Sequence, residues 1–159
     1  MKRVLDLLSR ASLAVSAACI VAMTLIISYQ VVARYVFNDS PAWSERLSLL
    51  LLAYLVFFGA ATGVHEKFHI RIDALRNAMS PPIAKAFDIA AHVAVAGAGL
   101  IMLLAGFDLT TTLWGFSIPA LGLPRGLALL PVMISGALIT LFSMAHLLNA
   151  ATSRDGGAD

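Results

Sequence analysis

The sequence predicts an all-α integral membrane protein: four transmembrane helices, with a short amphipathic surface helix between the second and third. Three observations carry that reading. First, 60% of the 159 residues are hydrophobic and 13% are charged, where a soluble domain is roughly 45–50% apolar and about 25% charged. A soluble domain of this size still exposes about a third of its unfolded surface, so the apolar surplus needs lipid as its solvent. Second, four segments contain no Asp, Glu, Lys or Arg: 11–33, 47–64, 89–107 and 126–149. Third, each approaches or reaches, with its flanks, the roughly 20 residues that cross about 30 Å of hydrocarbon.

The spans are placed near 11–36, 45–64, 83–107 and 126–149, in one membrane domain over 1–150 without an internal repeat. The apolar core of the first exceeds the roughly 7–15 residues of a signal-peptide h-region, so it reads as a span. With the N-terminus inside, the inner segments hold eight basic residues (Lys2, Arg3, Arg10, Lys67, Arg71, Arg76, Lys85 and Arg154) and the outer loops three, Arg34, Arg46 and Arg125. This bias predicts that both termini are cytoplasmic. The tail 151–159 is small, polar and Gly-containing, and is expected to be disordered.

Between the first two spans, "QVVARYVFNDSPAWSERLS" gathers many specific polar groups in one outer turn. Ser40 reads as an N-cap with Pro41 at the first helical position. Glu45 complements the helix dipole. Trp43 suits either headgroup depth or a protein contact. Arg34 is expected to pair with Glu45 or Asp39 across the turn, either partly desolvated or as an exposed headgroup pair.

The inner connection "HEKFHIRIDALRNAMSPP" places Phe68, Ile72, Leu75 and Met79 at helical spacing. Over 65–80 this reads as an amphipathic helix on the inner membrane surface. Lys67, Arg71 and Arg76 are its candidate contacts to anionic lipid. The outer loop "WGFSIPALGLPRG" is apolar yet broken by Pro119, Gly122 and Pro124. It reads as a surface packed by a partner or as a hairpin dipping into the interface. Within the spans, Ala14, Ala18 and Ala22, the pair Gly59 and Gly63, and Ala90, Ala94 and Ala98 form small-residue rows that permit close helix approach.

Chemistry has few footholds. No acid lies within the four charge-free runs, so the chain is not expected to carry ion coupling alone. No nucleophile, base and orienting group cluster, and no phosphate loop appears, so neither catalytic nor substrate-binding residues are assigned. No basic patch suggests nucleic acid. The single Cys19 forms no disulfide within the chain.

His92 and His146 raise an alternative, a haem-bearing membrane anchor of a redox complex. However, they lie about 14 Å and about 5 Å from the ends of their spans. Asp88, one turn before His92, supplies a local partner, so structural histidines are the default. His65 and His69 have a zinc-like spacing without a third ligand, and read as a solvated or headgroup-facing pair. No metal or cofactor is assigned.

The run Gln30, Val31, Arg34, Tyr35, Phe37 and Asn38, followed by Ser40, Trp43 and Glu45, resembles the small membrane subunit of tripartite ATP-independent periplasmic (TRAP) transporters. So do "FFGAATGVHEKFHIRIDAL", with His69 and Asp73, and "PALGLP" at 119–124. The resemblance covers about residues 10–150. Arg46 stands where that family often has a second acid, and Tyr54 where it often has Trp.

The resemblance implies a non-enzymatic subunit of a sodium-coupled organic-acid importer in the bacterial inner membrane. It would scaffold a large multi-spanning permease served by a periplasmic binding protein. Candidate partner contacts are Arg34, Asn38, Trp43, Glu45, His69, Asp73 and Trp114.

Overall fold

A computed structural model describes the backbone of residues 2–39, 41–76 and 81–152, and their side chains except at 2, 67–76, 81–86, 88 and 148–152. Four helices account for most of it: α1 (Lys2–Val36), α2 (Ala42–Arg76), α3 (Pro81–Thr112) and α4 (Gly126–Thr152). Each contains a stretch long and apolar enough to cross a membrane: Arg3–Val36, Ala42–Glu66, Ile89–Thr112 and Gly126–Leu147.

The helices overrun the expected spans because a charge ends the hydrocarbon segment without ending the helix. Nothing between Lys2 and Arg10 breaks α1, and its 35 residues reach about 52 Å. The expected separate surface helix over 65–80 is absent from the described residues, since α2 continues unbroken to Arg76. Neither Gly nor Pro interrupts it after Gly63, so no signal divides the amphipathic stretch from the span. The side chains of Lys67, His69, Arg71, Asp73 and Arg76 lie outside the described residues, as do 77–80 and Ser40. Pro81 and Pro82 open α3, where their missing N–H groups cost nothing. α4 includes 151–152 of the expected tail; 153–159 lie outside the described residues.

The four helices do not close a ring. α3 packs most extensively on α4, α1 on α2, and α2 on α4, while α2 touches α3 only lightly. They stand as a curtain in the order α1–α2–α4–α3. Large apolar side chains consequently remain exposed on the edge helices, among them Leu7, Leu25 and Val32 of α1 and Ile101, Leu104 and Phe107 of α3.

Each seam has its own chemistry. Between α1 and α2 it is made of small polar residues: Ser9, Ser12, Ser16 and Cys19 recur at helical spacing and are buried. Ser16 Oγ donates to Leu55 O at 3.2 Å, and Thr62 Oγ1 to Phe58 O at 3.1 Å and Ser9 O at 3.4 Å. Such bonds satisfy hydroxyls where no water can.

Between α3 and α4 the backbones nearly touch. A Cβ on Gly136 would sit 2.6 Å from Leu103 N and 2.8 Å from Gly99 O. On Gly106 it would sit 2.9 Å from Met133 N. Gly99 and Gly106 are seven residues apart and share one face of α3. The expected Ala rows point elsewhere: Ala14, Ala18, Ala90, Ala94 and Ala98 are exposed. Gly59 lies near Ser16, but nothing approaches within 4 Å of a Cβ on Gly63.

Between α2 and α4 the seam turns on Pro131, which is fully buried inside α4. Proline has no N–H for the carbonyl four residues back, which is Leu127 O. Tyr54 of α2 fills that vacancy, its hydroxyl donating to Leu127 O at 3.0 Å.

Two outcomes follow from this packing. Gly136→Ala should destabilise the protein by about 1–3 kcal/mol through backbone overpacking, whereas Gly63→Ala should change it by less than about 0.5 kcal/mol. Thermal unfolding in detergent compares them, and equal effects would contradict the Gly136 contact. Tyr54→Phe should cost about 1 kcal/mol, and less in a Pro131→Ala background, where residue 131 supplies its own N–H. An undiminished cost would show that the tyrosine does not serve the freed carbonyl.

Candidate functional site

At the turn between α1 and α2, Asn38 adopts the left-handed conformation, φ 52°, which Asn tolerates better than most residues. This reverses the chain so that Phe37 N donates to Ala33 O at 3.1 Å and Asp39 N to the same carbonyl at 3.2 Å. Asn38 is therefore a helix C-cap. Helix α2 starts one residue later than expected, at Ala42. The Ser44 hydroxyl and amide both donate to Pro41 O, at 2.7 and 3.2 Å.

Trp43 reaches back to stack on Tyr29, with ring centroids 6.1 Å apart. Of the two readings for this tryptophan, a protein contact within the chain is present. Arg34, Asp39 and Glu45 are exposed, and among the described residues no ion pair joins Arg34 to either acid. Backbone capping and ring stacking hold this turn, leaving all three charges facing outward.

The apolar loop between α3 and α4 folds on itself. Ile118 N donates to Leu123 O and Arg125 N to Phe116 O, both at 2.7 Å, around an isolated bridge of Ser117 with Pro124. Ala120 and Gly122 supply its left-handed positions. Trp114 leans over the first residue of α4, where a Cβ on Gly126 would meet its ring at 2.6 Å. Even so, Trp114 and Phe116 remain more than half exposed. The loop is a hairpin with an aromatic outer face.

The opposite end of the curtain, where the described chain starts and finishes, holds a polar chain that crosses every seam. Asp6 of α1 meets His65 of α2, Oδ1 to Nε2 at 3.2 Å. The His65 and His146 rings lie 5.8 Å apart, and His146 is 5.8 Å from His92. Fully buried Phe142 of α4 packs against His65 at 4.8 Å. One residue from each helix thus takes part, in the order in which the helices stand. His92, only 4% exposed, closes the line on α3.

Two expectations need correction here. His65 is largely buried rather than solvated: its ring packs against Phe142 in the α2–α4 seam while Nε2 turns to Asp6. His92 and His146 are neighbours rather than residues at different depths. Measured from the charge-free runs, each lies three residues inside an edge, Ile89 for one and Asn149 for the other. That symmetry was the available signal; placing the third span's start at 83 hid it. A haem between these histidines is not favoured, since α3 and α4 approach to backbone contact at Gly99 and Gly136, about two to three turns away. Among the described residues no group of three His, Cys, Asp or Glu side chains is arranged to hold a metal.

His146 is the centre of this line. His146→Leu should remove the ring shared by His65 and His92, lowering stability by about 1–3 kcal/mol as polar groups lose a buried neighbour. Asp6→Asn, at the exposed end, should cost no more than about 1 kcal/mol. Chemical or thermal unfolding in detergent orders the two variants, and a larger effect for Asp6 would contradict the assignment.

The geometry describes a membrane protein whose acids, bases and histidines sit towards its ends. Comparison with known proteins agrees. Residues 23–153 match the family of tripartite ATP-independent periplasmic transporters, DctQ component. The chain is similar to the C4-dicarboxylate TRAP transporter small permease protein DctQ of Vibrio cholerae, 38% identical over 85 residues, 54% of this chain and 36% of that one. It thus spans about a third of the length of that relative. It is also similar to a putative TRAP transporter small permease protein of Haemophilus influenzae, 26% identical over 132 residues, 81% of this chain and 80% of the relative. A shorter match, 37% over 60 residues, covers 38% of this chain and 10% of the sialic acid TRAP transporter permease protein SiaT of Haemophilus influenzae. With four apolar helices and most of its length matched, the chain belongs to the DctQ family: it is a small, multi-pass permease subunit of a TRAP transporter in the bacterial inner membrane, and not an enzyme.

Proposed function

We propose that this subunit scaffolds a large multi-spanning permease within a sodium-coupled importer of organic acids. The observation that carries the reading is the open curtain. Its own core is thin, its edge helices expose apolar side chains along their length, and its polar chain is confined to one end. A flat, apolar sheet of helices braces a larger body well and offers no central path. Substrate and sodium sites then belong to the large subunit, and the cargo is a carboxylate. The C4-dicarboxylate and sialic acid named for its relatives share that group.

Residues 1–150 act as one membrane domain with both termini cytoplasmic. The outward-facing Arg34 and Glu45 and the exposed Trp114 are the contacts proposed for the large permease or, transiently, a periplasmic binding protein. Asn38 and Trp43 shape that surface. His69 and Asp73 are assigned to the inner side of the same interface, and Lys67, Arg71 and Arg76 to anionic lipid. The exposed rows Ala14–Ala18 on α1 and Ala90–Ala94–Ala98 on α3 let a neighbouring helix come close.

Purification in mild detergent from the native membrane, with mass spectrometry of what is retained, tests the reading. A large multi-spanning protein in near-equal amount is expected. Arg34→Ala combined with Trp114→Ala should lower its retention. A chain that arrives alone, and transports an organic acid alone in liposomes, would overturn the proposal.

A further inference from the structure

A cavity of about 320 Å³ opens between α1 and α2 beside the polar chain, lined by Asp6, Ser9, Arg10, His65 and Glu66. We propose that it is a binding site for a zwitterionic phosphate–ammonium group, as carried by phosphatidylethanolamine. The inference concerns this chain's own groove and does not depend on the transport role.

The charges are mixed, and the pairing they invite is not made. Asp6 and Arg10 stand four residues apart on α1, acid before base, the favourable order for a helix ion pair. Yet among the described residues Arg10 pairs with neither Asp6 nor Glu66. Asp6 is instead held by His65 Nε2, on the α2 side of the groove. The guanidinium thus keeps its donors for a phosphate, which Arg binds through a planar fork. Ser9 adds a hydroxyl beside it. The two carboxylates keep acceptor capacity for an ammonium. An anionic glycerol lipid would bring negative charge towards both acids without an amine to meet them. A trimethylammonium headgroup has no N–H to donate.

The depth is that of a headgroup. The charge-free run of α2 ends at Val64, next to His65 and Glu66 in the wall of the cavity. One turn further in, nothing lies within 4 Å of a Cβ placed on Gly63, so the surface of α2 beside that glycine is open below the charges. Leu7 and Leu13 of α1 are exposed on either side of Arg10 in sequence, apolar surface for acyl chains at this level.

The test uses the full chain with whatever membrane partner it retains. It is stripped of lipid in detergent and given phosphatidylethanolamine, phosphatidylglycerol or phosphatidylcholine with one acyl composition. Native mass spectrometry reads the bound lipid. Phosphatidylethanolamine should be retained several-fold over the other two. Arg10→Gln and Glu66→Gln should each abolish that preference, while Arg10→Lys keeps part of it and Arg125→Gln, at the other end, leaves it intact. Soluble O-phosphoethanolamine separates the sources: weak competition supports a lipid, and binding as tight as the lipid's assigns the same chemistry to a free metabolite. Equal retention of all three lipids, or a preference unmoved by Arg10→Gln in a folded protein, would overturn the proposal.

Discussion

The seam between α2 and α4 is the constraint on which the rest of the structure depends. Among the described residues α1 packs chiefly on α2, so the α2–α4 seam is the main join between two helical hairpins. Its central bond, from Tyr54 to Leu127 O, exists because Pro131 cannot satisfy that carbonyl. In water such a defect is repaired by solvent. In hydrocarbon it must be repaired by protein. A sequence feature that weakens one helix therefore becomes the feature that fixes its neighbour. At the terminal end, His65 and Phe142 fasten the same seam.

The other seams solve the same problem of cohesion without a hydrophobic driving force. Lipid tails are as apolar as leucine, so apolar side chains gain little by meeting one another. Close backbone approach at Gly99, Gly106 and Gly136 supplies dispersion between α3 and α4. Serine and threonine hydroxyls supply hydrogen bonds between α1 and α2. The larger apolar residues are then left on the outside, where lipid or another subunit meets them.

The four spans were legible in the sequence because charge-free runs report hydrocarbon directly. Helix ends were less so: Lys2–Arg10 and Glu66–Arg76 are charged yet remain helical, and hydropathy measures solvent rather than backbone geometry. The order α1–α2–α4–α3 left no trace in composition. A row such as Ala90, Ala94 and Ala98 shows that a face is small, and not which way it points. The turn between α1 and α2 was located correctly, but Arg34 was credited with a role that the backbone at Asn38 performs. The histidine line needed three dimensions, since its members lie on three helices and only His92 and His146 share a visible symmetry. Family resemblance rested on motifs such as Arg34, Asn38, Trp43 and His69, and the matched family confirms that membership without assigning those residues a function.

If the curtain is a brace, it must hold its shape while the transporter works. Spin labels at Ile20 on α1 and Leu100 on α3, both exposed and outside the alanine rows, mark its two edges in a Cys19→Ala background. Pulsed electron resonance would measure the distance between them in the assembled complex, with and without sodium and an organic acid. A rigid scaffold predicts one narrow distribution that does not move. A distribution that shifts or splits with ligand would show that the two hairpins slide along the α2–α4 seam, and that this subunit is a moving part.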